Sequence, residues 1–126
     1  MEDKMQEITG LDIAEAVAEL IFENKGDNIR LIDVSEQTEF TDYFLIASAK
    51  SPPHLKALAT DIRDNLSYNG LKASHIEGLS GLKWVLLDYD DVIVHLFLPQ
   101  AREYYALEEY WADAEEIPLD FPEEEI

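Results

Sequence analysis

The 126-residue chain has no cysteine. That excludes disulfides, thiolate metal sites and cysteine nucleophiles, and it fits a reducing cytosol. Basic residues are scarce: nine Lys and Arg stand against 28 Asp and Glu, for a formal charge of −19. Nucleic acids are polyanions, and binding them takes clustered Lys and Arg to neutralise phosphates. The sequence holds no such cluster, so neither direct nucleic-acid binding nor attraction to an anionic membrane is expected. An acidic surface steers towards basic partners instead. No apolar run approaches the ~20 residues of a membrane span. The polar start MEDKMQEITG resembles neither a signal peptide nor an Arg-rich transit peptide, so the expected location is cytoplasmic. A Gly-rich phosphate loop, a nucleophile elbow and internal repeats are also missing.

What is present suits one ordinary domain. Hydrophobic residues make up 47% of the chain, enough for a core at this length. The end differs. Ala112 to Ile126 carries seven acids, no bases and two prolines, and reads as an acidic, mostly disordered tail. Within it, Ile117, Leu119 and Phe121 could dock locally. The body, residues 1–111, keeps 21 acids and nine bases and is therefore acidic in its own right, at −12.

Periodicity sets the elements. Ile13, Val17, Leu20 and Ile21 share one face of a helix from about Leu11 to Lys25, with Thr9 as N-cap and Gly26 as stop. NIRLIDVS reads as a strand. YFLIASA is a second strand, apolar enough for burial on both faces. SPPHLKALATDIRDNLSYNG begins with Ser51 as a cap and Pro52 in the first turn, and ends at Gly70. KASHIEG is a short strand, and the strand–helix–strand order suggests a right-handed parallel crossover. WVLLDYDDVIVHLFLP is a hairpin. A last helix starts near Pro99, with Tyr104, Leu107 and Trp111 on one face. The order αββαβββα predicts an α/β sandwich with a mixed sheet.

The hairpin carries the most information. Side chains alternate between faces along a strand. Val85, Leu87, Val92, Val94 and Leu96 form a purely aliphatic face, which must be core. The other face mixes Trp84, Leu86, Ile93 and Phe97 with Asp88, Asp91 and His95. A two-residue turn at Tyr89 and Asp90 would set Asp88 against Asp91, an unfavourable like-charge pair. It would also set Leu86 against Ile93 and Trp84 against His95. Trp beside aliphatic residues and charges has the makeup of an interface centre.

Three chemical readings compete with that. Asp88, Asp91 and His95 are competent metal ligands, but His95 lies some 13 Å from the tip at ~3.3 Å per residue, too far for one compact shell. Asp88 and Asp90 could serve metal-dependent nucleotidyl transfer, yet no phosphate loop or Lys/Arg clamp accompanies them. Nucleophilic catalysis has only single serines, Ser48, Ser51 and Ser74, and Ser51 is better read as a cap. His54 and His75 read as a helix-surface and a strand residue. Thr41 and Asp42 stand at a turn entering a buried strand, where Asp42 can bond backbone amides or edge the functional surface. Glu77–Gly78 reads as a strand end and a turn. On the residues alone, an acidic interaction domain outranks an enzyme.

DNIRLIDVS, TDYFLIASAKS, HIEGL and WVLLDYDDVIVHLFLPQAREYYALEEYW occur in the order and spacing of the ribosomal silencing factors, or Iojap family. The chain resembles that family from about Leu11 to Trp111. The resemblance implies a nucleotidyltransferase-like α/β fold without catalysis, cofactor or metal. It implies binding to the large ribosomal subunit through basic ribosomal protein number fourteen, where the small subunit docks. Blocking 30S–50S joining would then damp translation in starvation or stationary phase, and some members dimerise off the ribosome. Carried over, the partner-binding surface is Trp84, Leu86, Asp88, Tyr89, Asp91 and His95, neighboured by Glu77, Thr41 and Asp42. The alternative is a metal-dependent nucleotidyltransferase-type enzyme. Two departures stand out. Asp90 takes the place of a glycine common at the family's hairpin tip, and the acidic segment after Trp111 lies outside the shared pattern.

Overall fold

Thr9 starts the first helix, as its residue type suggests. In the computed structural model, which describes residues 8–121, its hydroxyl accepts from the Asp12 amide and the Asp12 carboxylate accepts from the Thr9 amide, each at 3.0 Å. This reciprocal cap satisfies two otherwise orphaned donors. Helix α1 (Gly10–Glu23) then buries Ile13, Val17 and Ile21. Helix α2 (Pro52–Tyr68) is capped by Ser51 and buries Leu55, Leu58, Ile62 and Leu66 at helical spacing.

The strands are β1 (Asp27–Asp33), β2 (Tyr43–Ser48), β3 (His75–Glu77), β4 (Trp84–Asp88), β5 (Val92–Phe97) and β6 (Glu115–Ile117). They form one mixed sheet in the order β3-β4-β5-β2-β1-β6. The parallel pair is β2 with β5, and the other neighbours are antiparallel. The chain leaving β2 thus runs through α2 to the far edge of the sheet and returns by β3 and β4. The predicted crossover exists in this longer form, with the hairpin filling the gap.

Central strands need apolar residues on both faces, and β2 and β5 are buried throughout except Tyr43. One face packs Leu31, Leu45, Val85, Leu87, Val94 and Leu96 under α1 and α2. The opposite face holds a smaller cluster of Ile32, Val34, Phe44, Ile46, Ile93 and Phe97.

That second cluster is closed by the C-terminal segment, and here the structure differs from the sequence reading twice. The last helix is not continuous: Ala106 adopts a left-handed conformation (φ 48°, ψ 46°) that splits it into α3 (Pro99–Tyr105) and α4 (Leu107–Tyr110). Leu107 and Trp111 therefore pack on the sheet, whereas Tyr104 is left exposed on α3. The stretch expected as a disordered tail also adds β6, paired with β1 from Leu31↔Ile117 to Asp33↔Glu115. Beyond it Phe121 stacks on Phe22 at 4.5 Å. Composition argues for disorder when too little apolar surface can be buried. Ile117, Leu119 and Phe121 supply that surface because the first core offers them a place. Residues 122–126, the remainder of the expected tail, lie outside the described residues.

Candidate functional site

The hairpin register decides what the site contains. Trp84 pairs with Phe97, Leu86 with His95 and Asp88 with Ile93, two residues away from the tight-turn alignment predicted at sequence level. The Tyr89 amide donates to the Val92 carbonyl, and the chain reverses at Asp90 and Asp91. Asp90 sits at φ 69°, and the Asp91 amide donates back to the Tyr89 carbonyl, the bond of a γ-turn. Glycine enters this region freely and Asp at modest cost. An Asp88 oxygen, accepting from the Asp90 amide at 2.8 Å, steadies it. A shift of two preserves which side chains share a face, so the division into aliphatic and mixed faces holds. The like-charge pair does not form: Asp88 faces Ile93.

The residues selected from sequence separate into three groups. Trp84, Leu86 and Asp88 lie half-buried on the face away from α1 and α2. Exposed Glu77 pairs with Leu86 across β3–β4, so it shares that face, as does His75 opposite Asp88. Asp42 and Asp91 meet at one end of the sheet, where the Asp42 and Tyr43 amides both donate to the Asp91 carbonyl at 3.1 Å. Buried Gly10 lets α1 approach this corner: an added Cβ would lie 2.9 Å from the Asp91 Cβ. Thr41, Tyr89 and His95 are buried, at 4–5% exposure. Tyr89 points into the main core with Val85 and Leu87 because it is odd-numbered on β4's strand line.

His95 lies beneath the surface rather than on it. The Trp84 indole N–H donates to His95 Nδ1 at 3.1 Å, so the neutral ring carries its proton on Nε2. The ring meets Phe44 edge-on at 4.8 Å and lies near Phe97. Burial alone pushes its pKa down to about 3, because no carboxylate compensates for lost hydration. His95 is thus a neutral acceptor that fixes the indole.

The cover over the rest of this face is held by ions that periodicity did not reveal. Arg102 binds Glu108 with two hydrogen bonds, at 3.0 and 2.8 Å, and donates to the Ser48 hydroxyl at 2.8 Å. Arg30 on β1 donates to Glu108 and grips Glu116 of β6 bidentately. The two guanidiniums hold the Glu108 carboxyl below its usual range, with the hydrogen bond from Arg102 as the larger cause. Arg102 and Glu108 are six residues apart, a spacing that matches no helical pair. The left-handed Ala106 between them creates the contact. REYYALE contained the partners, but only the broken helix joins them.

Glu77–Gly78 also means more than a turn. Gly78 has φ +96°, and a Cβ there would lie 1.9 Å from the Trp84 carbonyl oxygen. Backbone cannot yield as a flexible side chain would. Gly78→Ala is expected to destabilise the protein by about 2–3 kcal/mol, lowering Tm by roughly 8–12 °C. A thermal melt monitored by circular dichroism reads this directly, and an unchanged Tm would show that the close approach is unimportant.

The result is a sheet face closed by α3, α4 and Trp111 over β1, β2 and β5 and open over β3 and β4. Glu77 and Asp88 border its open end. Among the described residues, no group of three or more His, Asp or Glu side chains could hold a metal ion, and no helix is long and apolar enough to cross a membrane. Fold and site together define a mixed-sheet α/β protein that presents an acidic, aromatic-centred face. The chain belongs to the family described as ribosomal silencing factor during starvation, whose model matches residues 7–126. The match includes the acidic C-terminal segment, which lies beyond the shared motifs that end at Trp111.

Individual relatives agree. The ribosomal silencing factor of Bacillus subtilis is 36% identical over 99 residues, covering 79% of this chain and 84% of its own. A mouse protein named for mitochondrial assembly of the ribosomal large subunit is 33% identical, covering 87% of this chain; the chain spans about half (54%) of that protein. A crystal structure of a Chromobacterium violaceum protein superposes with a TM-score of 0.79 at 30% identity, over 94% of this chain and 92% of its own. The silencing factors are named for an effect on ribosomes rather than for a reaction.

Proposed function

We propose that this protein represses translation by occupying the large ribosomal subunit in the cytoplasm. Its β3–β4 face docks on a basic ribosomal protein, number fourteen of that subunit, on the surface the small subunit needs. It acts by steric exclusion under nutrient limitation and carries out no reaction of its own. The observation that carries this reading is the open sheet end: Trp84 and Leu86 form an apolar centre, bordered by Glu77 and Asp88, on a chain of charge −19. Apolar anchors inside a charged rim are the anatomy of a specific protein interface. Opposite charge speeds encounter with a basic partner. Family membership and the large-subunit name of the mouse relative point to the same target.

Mixing the full chain with purified large subunits, then adding small subunits, tests both halves of the proposal. The chain is expected to sediment with 50S and not with 30S, and light scattering is expected to show less 70S formation. Normal 70S formation by fully occupied 50S subunits would defeat the exclusion mechanism. Absence of co-sedimentation would defeat the large-subunit assignment itself.

A further inference from the structure

The open face does not end at the sheet. Tyr105, at the end of α3, lies against Trp84 with ring centroids 4.9 Å apart. Tyr104 stands edge-on to Tyr105 at 5.0 Å. On the other side Trp84 stacks on Phe97 at 4.9 Å. The rings therefore run without a break from the sheet interior to solvent. Exposure rises along the run, to 46% for Tyr105 and 81% for Tyr104. Two adjacent tyrosines held this far into water do little for the core. Their place follows from the helix break: Ala101, one helical turn before Tyr105, packs on the sheet, and the turn at Ala106 ends the helix just beyond Tyr105.

We infer that Trp84, Tyr105 and Tyr104 form one continuous aromatic strip, and that α3 supplies the second half of the docking face, taking an arginine-bearing segment of a basic protein. This rests on the proposal that the β3–β4 face docks on the large subunit, and it names the chemistry recognised there. Arginine suits the strip because its guanidinium stacks on aromatic faces while its N–H groups reach carboxylates. Glu77 and Asp88 stand on the same sheet face for that second contact. The face positions of β3 and β4, residues 75, 77, 84, 86 and 88, include no Lys or Arg to repel such a segment. Aromatic strips also stack nucleobases, but flanking carboxylates would repel the phosphates of RNA.

The test uses the full chain and purified 50S subunits. Tyr104→Ala and Tyr105→Ala are each expected to weaken binding about tenfold, while Tyr105→Phe, which keeps the ring, stays within twofold of wild type. Tyr110→Ala, at an equally exposed position on α4 (80%), is expected to change binding little. p-Benzoylphenylalanine at position 104 is expected to cross-link to a ribosomal protein through an Arg-containing peptide. Wild-type binding by both alanine variants, with Trp84→Ala defective, would overturn the α3 proposal and leave the large-subunit reading standing. A cross-link to ribosomal RNA, or a loss in Tyr105→Phe as large as in Tyr105→Ala, would overturn the arginine-bearing partner. No binding by the unaltered chain would remove the large-subunit reading, and this inference with it.

Discussion

Trp84→Ala is expected to leave the protein folded and to raise the Kd for large subunits at least 30-fold. The two halves of that expectation have separate causes. Trp84 is half-buried at the border of the smaller cluster, whereas Val85 and Leu87 beside it carry the main core and are fully buried. Truncation removes contacts with Phe97 and Tyr105 and leaves His95 Nδ1 without its donor. A cost of about 1–3 kcal/mol is what such a change carries, within the margin of an ordinary domain. Binding suffers more in proportion. A central Trp anchor ringed by polar groups typically contributes about 2 kcal/mol or more, which is a factor of about 30 in Kd. Sedimentation with 50S subunits measures the loss and a melting curve confirms the fold. A folded Trp84→Ala that still binds as tightly as wild type would refute the assignment of this face.

His95 sets the second large effect, on stability against pH. Its folded-state pKa is depressed to about 3, against 6.5 for an exposed imidazole. Below pH 6.5 the unfolded chain takes up a proton that the folded chain refuses. Stability is therefore full above pH 6.5 and falls as pH drops towards the folded value. Between pH 7.5 and pH 5 the loss is roughly 2 kcal/mol. Glu108 and Glu116, whose pKa values are lowered by their arginines, lose their contribution only below the ordinary carboxylate value of 4.5, so pH 5 separates the two effects. Urea unfolding at both pH values provides the measurement. His95→Gln, which cannot titrate, is expected to flatten the slope even if it starts from lower stability. An equal slope in wild type and variant would show that His95 is not the group responsible.

Much of this protein was legible from residue order. Thr9 and Ser51 act as caps where their spacing placed them, and the helical stripes of α1 and α2 are buried as the 3.6-residue period requires. The uninterrupted apolar runs of β2 and β5 mark central strands. What stayed hidden depended on contacts between distant segments. Whether His95 faces a partner or lies under one cannot follow from alternation, which gives a side chain's face but not what covers it. Phe44 of β2 and Trp84 of β4 flank His95, and Trp111, edge-on to Phe44, reaches this face because the chain breaks at Ala106 and returns. A left-handed alanine has no sequence signature, since its residue type argues for continuing the helix. The C-terminal segment was misread for a related reason. Its acidic composition argued against a fold, while the bidentate grip of Arg30 on Glu116 and the open edge of β1 gave it one.

Residue order alone settles the elements through β5, the identity of the main core and the alternation that puts Trp84 with Asp88. It also settles the acid excess of the chain. These are local or summed properties, set by side-chain period and by counting charge. The three-dimensional fold was needed to place His95 beneath the indole as its acceptor. It alone closed one half of the mixed face with α3, α4 and Trp111 and left the other half open beside Tyr105 and Tyr104. The reason is physical: exposure is a property of pairs of surfaces, and the second surface here arrives from the far end of the chain.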